Sequence, residues 1–141
     1  MEIRNIVLPV DFSEHSKRAL DFAILLAKKS GATIHLVHGM HLPPDVRLTG
    51  NWWATLRARA ISGIDSMIDE IERAGIKSEI HLEDEHPVAA ILKLAEQLDA
   101  DLITMGTRGL TGAKHVLLGS VAERTIRLAG CPVLSVKADA G

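Results

Sequence analysis

Apolar residues fall along this chain in two rhythms, and the two alternate. Short aliphatic runs of strand length are followed by longer stretches in which apolar residues return every three or four positions, the period of a helix face. "IRNIVLPV" (Ile3–Val10) reads as a buried strand. The helix after it opens at Ser13, a natural N-cap, and stops at Gly31, with Ala19, Phe22, Ala23, Leu26 and Ala27 on its apolar face. "ATIHLVHG" (Ala32–Gly39) is a second strand, and Pro43-Pro44 mark a loop beyond it. A long helix from about Trp52 to Ala74 turns Leu56, Ile64, Met67, Ile68 and Ile71 inward and ends at Gly75. "IKSEIHLE" alternates as an edge strand with one solvent face does. A third helix carries Pro87 in its first turn, where a missing N–H costs little. "DLITMG" (Asp101–Gly106) is strand four. In the fourth helix, "SVAERTIRLAG", Ser120 and Glu123 stand at capping-box spacing and Gly130 closes the element. "CPVLSVKA" is strand five.

Strands alternating with helices imply right-handed crossovers. The expected fold is therefore α/β: one doubly wound, five-stranded parallel sheet of order 3-2-1-4-5, helices on both faces, a single domain over residues 1–141. Such sheets bind ligands beyond the carboxyl ends of their strands, where the strand order reverses. Here the reversal falls between strands one and four. The residues at those two ends are Pro9, Val10 and Asp11, and Gly106 to Gly109.

Composition narrows the function. Aromatic residues make up only 3% of the chain, so the core is aliphatic and stacking platforms for single-stranded nucleic acid are lacking. The formal net charge of −2 is not that of a nucleic-acid binder. The single cysteine, Cys131, excludes an internal disulfide and fits a reducing compartment. The opening apolar run is too short for a membrane or signal segment, so a cytoplasmic protein with no membrane association is expected.

The densest chemistry lies in "MGTRGLTGAKHVLLGS" (Met105–Ser120), between strand four and the fourth helix. Glycines let a backbone approach phosphate oxygens closely, and a helix start supplies unpaired N–H groups and a positive dipole end. Arg108, Lys114 and His115 can add charge or hydrogen bonds, and Asp11 can accept from ribose hydroxyls. Neither a G-x-x-x-x-G-K-[ST] phosphate loop nor a G-x-G-x-x-G turn after strand one is present. Histidines invite a metal reading. However, His35 and His38 fall on opposite faces of one strand, His38 and His41 straddle a loop, and His81 and His86 flank an acidic stretch. No pair has helical ligand spacing, and no native metal site is expected. Cys131 is expected to be inert, and Trp52 and Trp53 to pack their helix or to cover a partner.

The run Gly106, two residues, Gly109, nine residues, Gly119-Ser120 resembles the G-2x-G-9x-G-(S/T) signature of ATP-binding universal stress proteins. "NIVLPVDFSEHSKRALDFA", "GATIHLVHG", "ADLITMGTRGLTG" and "LLGSVAERTIRLAGCPVLSV" extend the resemblance along essentially the whole chain. It implies ATP, with or without Mg²⁺, held by Pro9, Val10 and Asp11 near adenine and ribose, with Met105 and Gly106 nearby; Arg108 joins the candidate site for its charge. Gly109, Gly119, Ser120 and Val121 would take the phosphates. One position departs: where the family usually sets an aliphatic residue against adenine, this chain has Gly39, leaving Met40 or the Pro43-Pro44 loop to supply that wall. The resemblance also implies a homodimer through strand five (Pro132–Val136). The expected function is a nucleotide-responsive regulator that presents its state to a protein partner. The alternatives are a slow ATPase or phosphotransferase, with His115 as its base, and a nucleotide-free dimeric scaffold.

Overall fold

The computed structural model describes residues 2–40, 51–108 and 118–138. Strands β1 (Asn5–Pro9), β2 (Thr33–Gly39), β3 (Ser78–Glu83), β4 (Leu102–Gly106) and β5 (Val133–Val136) form one sheet of order β3-β2-β1-β4-β5. Every neighbouring pair is parallel. Helices α1 (Glu14–Ser30), α2 (Trp52–Arg73), α3 (Pro87–Leu98) and α4 (Ser120–Leu128) cover it on two faces. The expected topology is the observed one, and the strand order reverses between β1 and β4.

Alternation along the central strands sorts their side chains into two cores. Ile6 and Leu8 of β1 and Ile34 and Leu36 of β2 pack with Ala19, Leu20, Ala23 and Ala27 of α1 and Ile64, Met67 and Ile71 of α2. Val7, Val37, Ile103 and Met105 pack on the other face with Ala90, Ile91 and Leu94 of α3 and Ala122 of α4. Burying strands on both faces is what lets β1 read as an unbroken aliphatic run and β2 as one interrupted within its buried stretch by His35 alone. At the amino end of β1, the backbone N–H groups of Arg4 and Asn5 donate to Asp101 Oδ2 at 2.8 and 3.0 Å. These bonds hold the Asp101 carboxyl below its ordinary pKa and fasten β1 to the start of β4.

Local signals explain the element ends. The Ser13 side chain accepts from Ser16 N–H, and Gly31, left-handed at φ 78, donates its N–H to Ala27 O. Pro87 sits in the first turn of α3, and the His86 side chain caps that helix from Val88 N–H.

Three details differ from expectation. Phe22 is not on the buried face of α1: it is 36% exposed, with the Arg18 guanidinium 5.9 Å above its ring. The buried stripe is Ser16, Ala19, Leu20, Ala23 and Ala27, mostly small residues. Ser120 does not cap α4. Gly119 takes that position, extended at φ −72 and ψ 164, and makes no side-chain cap bond, which shifts Ser120 to the first helical residue. Gly130 does not close α4 either. Extended Ala129 ends it, donating its N–H to Thr125 O at 2.9 Å.

Candidate functional site

A crevice of about 590 Å³ opens beyond the carboxyl ends of β1, β2 and β4, within the size range of small-molecule and cofactor sites. Pro9, Val10, Asp11, Gly39, Met105, Gly106, Arg108, Gly119, Ser120 and Val121 all line it. The structure thus brings ten of the eleven candidate residues to one place. The eleventh, Gly109, lies outside the described residues, as do Gly112, Lys114, His115 and the Pro43-Pro44 loop.

One end of the crevice is built to face negative charge. After β4 the chain passes Thr107, whose N–H donates to Val136 O at 2.9 Å. The chain returns at Gly119, whose N–H donates to Thr107 O at 2.6 Å. This clasp sets the start of α4 beside the end of β4. The first N–H groups of a helix have no acceptor within it. Gly119 N–H is taken by Thr107, and Glu123 N–H returns to Gly119 O at 2.9 Å. Among the described residues nothing accepts from the N–H groups of Ser120, Val121 and Ala122, and all three residues line the crevice. Two guanidinium groups, of Arg108 and Arg59, line it as well.

The other end is apolar. Val10, Val37, Met40 and Met105 are buried there, beside Pro87 and Ile91. Gly39 belongs to this wall for a steric reason. A Cβ on Gly39 would lie 2.8 Å from Glu85 O and 2.9 Å from Pro87 Cα. The backbone entering α3 occupies the space of a side chain, so Pro87 stands where the missing wall was expected. Met40 also lines the crevice. Asp11 stands between the two ends. Its Oδ1 accepts from Ser13 N–H at 3.0 Å, so the carboxylate helps shape the turn into α1 while facing the crevice.

Sequence reasoning missed several lining residues. Phe12 takes a left-handed backbone at φ 67, unusual outside glycine, and no sequence signal announces it. Its ring lies 5.1 Å from the His38 ring, centre to centre. His38 Nδ1–H donates to Val10 O at 2.7 Å, which ties the end of β2 to that of β1. Leu56, Arg59 and Ala60 reach the crevice from α2. Only the tertiary placement of that helix brings them in.

Two further groups lie away from the crevice. His35, Glu79 and His81 gather on the β2–β3 edge with their ligand atoms within 4.8 Å of one another, a grouping that pairwise sequence spacing did not anticipate. Burial, the largest influence, lowers the pKa of His35 against the opposing pull of Glu79. Cys131 is free and half-buried, and burial pushes its thiol up, away from the reactive thiolate. Among the described residues, no helix is long and apolar enough to cross a membrane.

Comparison with known proteins returns one family. The profile described as the Universal stress protein family matches residues 2–137. Universal stress protein MJ0531 of Methanocaldococcus jannaschii is 37% identical over 139 residues, covering 95% of this chain and 82% of its own. Among solved structures, the hypothetical protein MJ0577 is 28% identical with a TM-score of 0.90, covering 100% of each chain. A universal stress protein solved in complex with cAMP is 27% identical with a TM-score of 0.77, covering 99% of this chain and 100% of its own.

Proposed function

Because this chain belongs to the universal stress protein family, we propose that its crevice binds an adenine nucleotide, ATP with Mg²⁺ in the full form, and that the protein acts as a nucleotide-responsive regulator in the cytoplasm. The observation that carries this reading is the polarity of the crevice. N–H groups of a helix start that have no acceptor within the helix line it together with Arg108 and Arg59, and so do buried aliphatic side chains. A nucleotide has that same division, an anionic tail and a flat, largely apolar base. A related protein solved in complex with cAMP supports a nucleotide as the class of ligand.

In this reading each residue has a task. The N–H groups of Ser120, Val121 and Ala122, with the Ser120 hydroxyl, take phosphate oxygens at the positive end of α4. Arg108 and Arg59 neutralise the remaining charge, leaving Mg²⁺ to be held mainly by the phosphates themselves. Asp11 accepts from the ribose hydroxyls. Val10, Val37, Met40 and Met105 enclose the base, with Pro87 closing the side that Gly39 leaves open. Binding would order the chain around the crevice and shift the conformers offered to a protein partner. The protein would act as a homodimer joined through β5.

The test is a thermal melt with and without Mg-ATP, run beside mass spectrometry of small molecules released when fresh protein is denatured. Ligand at 100 times its dissociation constant stabilises a one-site protein by about 2.7 kcal/mol, a readily visible shift. Released adenine nucleotide, or a melting shift that Ser120→Ala reduces, is the expected result. An unmoved melt and a sample free of nucleotide would overturn the reading in favour of a nucleotide-free scaffold.

A further inference from the structure

The geometry points to a second site: a divalent transition-metal site, suited to zinc, formed by His35 Nδ1, His81 Nε2 and Glu79 Oε2 at the β2–β3 edge of the sheet. None of these residues lines the crevice. The site is nearer the amino ends of the strands, whereas the crevice lies beyond their carboxyl ends, so it stands independently of the nucleotide reading.

The sheet itself assembles the three ligands. In the parallel register of β2 and β3, His35 pairs with Glu79 and Val37 with His81. Glu79 and His81, two apart on one strand, share a face, and the same register brings His35 to it. The resulting triangle has sides of 3.2 Å (His35 Nδ1 to Glu79 Oε2), 3.3 Å (His35 Nδ1 to His81 Nε2) and 3.6 Å (His81 Nε2 to Glu79 Oε2). Tetrahedral zinc holds nitrogen and oxygen ligands at about 2.0–2.2 Å, which places neighbouring ligand atoms roughly 3.3–3.6 Å apart. Two imidazoles and one carboxylate are also a ligand set that zinc uses with its fourth position open. Here the fourth position would face solvent, because Glu79 is exposed and His81 only partly covered.

Proton accounting favours a cation over a simple hydrogen-bond cluster. His35 Nε2 lies 3.0 Å from Asn5 Oδ1. With the amide oxygen in that place, the ring proton sits on Nε2 and donates to Asn5. His35 Nδ1 then carries a lone pair aimed at a second lone pair on Glu79, 3.2 Å away. A proton on His81 Nε2 can relieve only part of that opposition, whereas one cation satisfies all three atoms. Asn5 is also the kind of outer partner that fixes the tautomer of a metal-bound histidine. His35 is almost fully buried in a hydrogen-bonded strand, so one ligand is held rigidly in advance.

The experiment uses the full chain without a histidine tag, stripped with a chelator that is then removed. Zn²⁺ is titrated by calorimetry and Co²⁺ by visible absorption. The expected result is one ion per chain, with the intense visible bands of four-coordinate cobalt. His81→Gln and Glu79→Gln should each weaken Zn²⁺ binding at least tenfold, while Glu83→Gln, on the same strand but outside the triangle, leaves it unchanged. Far-UV circular dichroism and a metal-free melt establish that each variant is folded. Lack of one-to-one zinc binding, or binding that His81→Gln leaves intact, would overturn the site. The cluster would then be a hydrogen-bonded network in which the Asn5 amide is reversed and His35 Nδ1–H donates to Glu79.

Discussion

A β-carbon at Gly106 would lie 2.6 Å from His15 Cβ and 2.8 Å from His15 C, both parts of α1 that cannot swing aside. This glycine, part of the family signature, therefore has a packing role before any role toward a ligand. Gly106→Ala should destabilise the protein by about 1–3 kcal/mol through overpacking, seen as a melting point lower by several degrees. Gly130 is the matching control: nothing lies within 4 Å of its Cβ position and its φ is not positive. Gly130→Ala should leave the melt unchanged within about 0.5 kcal/mol. A Gly106→Ala variant as stable as the parent would show that His15 and α1 can retreat. The same scale shows what one sequence can and cannot convey. Ser13, Gly31 and Pro87 signal element ends because caps and turns are local chemistry. The His35–Glu79–His81 triangle is invisible in the sequence because it depends on the register between two strands that bring together His35 and His81, 46 positions apart. Phe22 reads as core in the sequence because its apolar neighbours suit more than one choice of helix face, and only the tertiary packing of α1 selects Ala19, Leu20, Ala23 and Ala27.

Among the elements, α4 carries the functional reading. Reading Ser120 as a cap was off by one residue, and the shift matters. As the first helical residue, Ser120 offers its own N–H to the crevice rather than consuming a neighbour's. Proline is well tolerated at that helical position and removes both donors of Ser120, its N–H and its hydroxyl, while leaving the N–H groups of Val121 and Ala122. The preceding Gly119, extended at φ −72 and ψ 164, already has the backbone that a following proline requires. Ser120→Pro should therefore keep the nucleotide-free melting point nearly unchanged and sharply reduce the shift produced by Mg-ATP. An undiminished shift would move the phosphates away from the start of α4. The strands and their order were legible because aliphatic runs and amphipathic stretches alternate so regularly. The reach of α2 into the crevice through Leu56, Arg59 and Ala60 was not, since these residues belong to the helix pattern and become lining only when the helix is docked.

For the whole molecule, the two sheet edges differ in how they meet solvent. The β3 edge displays Glu79 and Glu83, charges that discourage another chain from pairing there. The β5 edge, "VLSV", carries no charge. Ile103 N–H donates to Pro132 O and Thr107 N–H to Val136 O, so alternate β5 residues face β4. The backbone of Ser135 is then directed outward, toward the proposed second copy. Ser135→Pro should remove an outward donor without touching the β4 ladder. The parent should sediment or elute as a dimer, and this variant as a folded monomer. A monomeric parent, or a variant still dimeric, would dismiss β5 as the interface.

The close approach at Gly39 also bears on how such a chain can diverge. An aliphatic residue at this position would collide with Glu85 O and Pro87 Cα, so restoring the usual family side chain in one step damages the fold. The turn into α3 would have to draw back first, and with the glycine still in place that retreat opens a gap. Each change is unfavourable without the other, so the two positions are epistatic. A lineage carrying this pair is held to it by packing, whichever base its crevice comes to prefer.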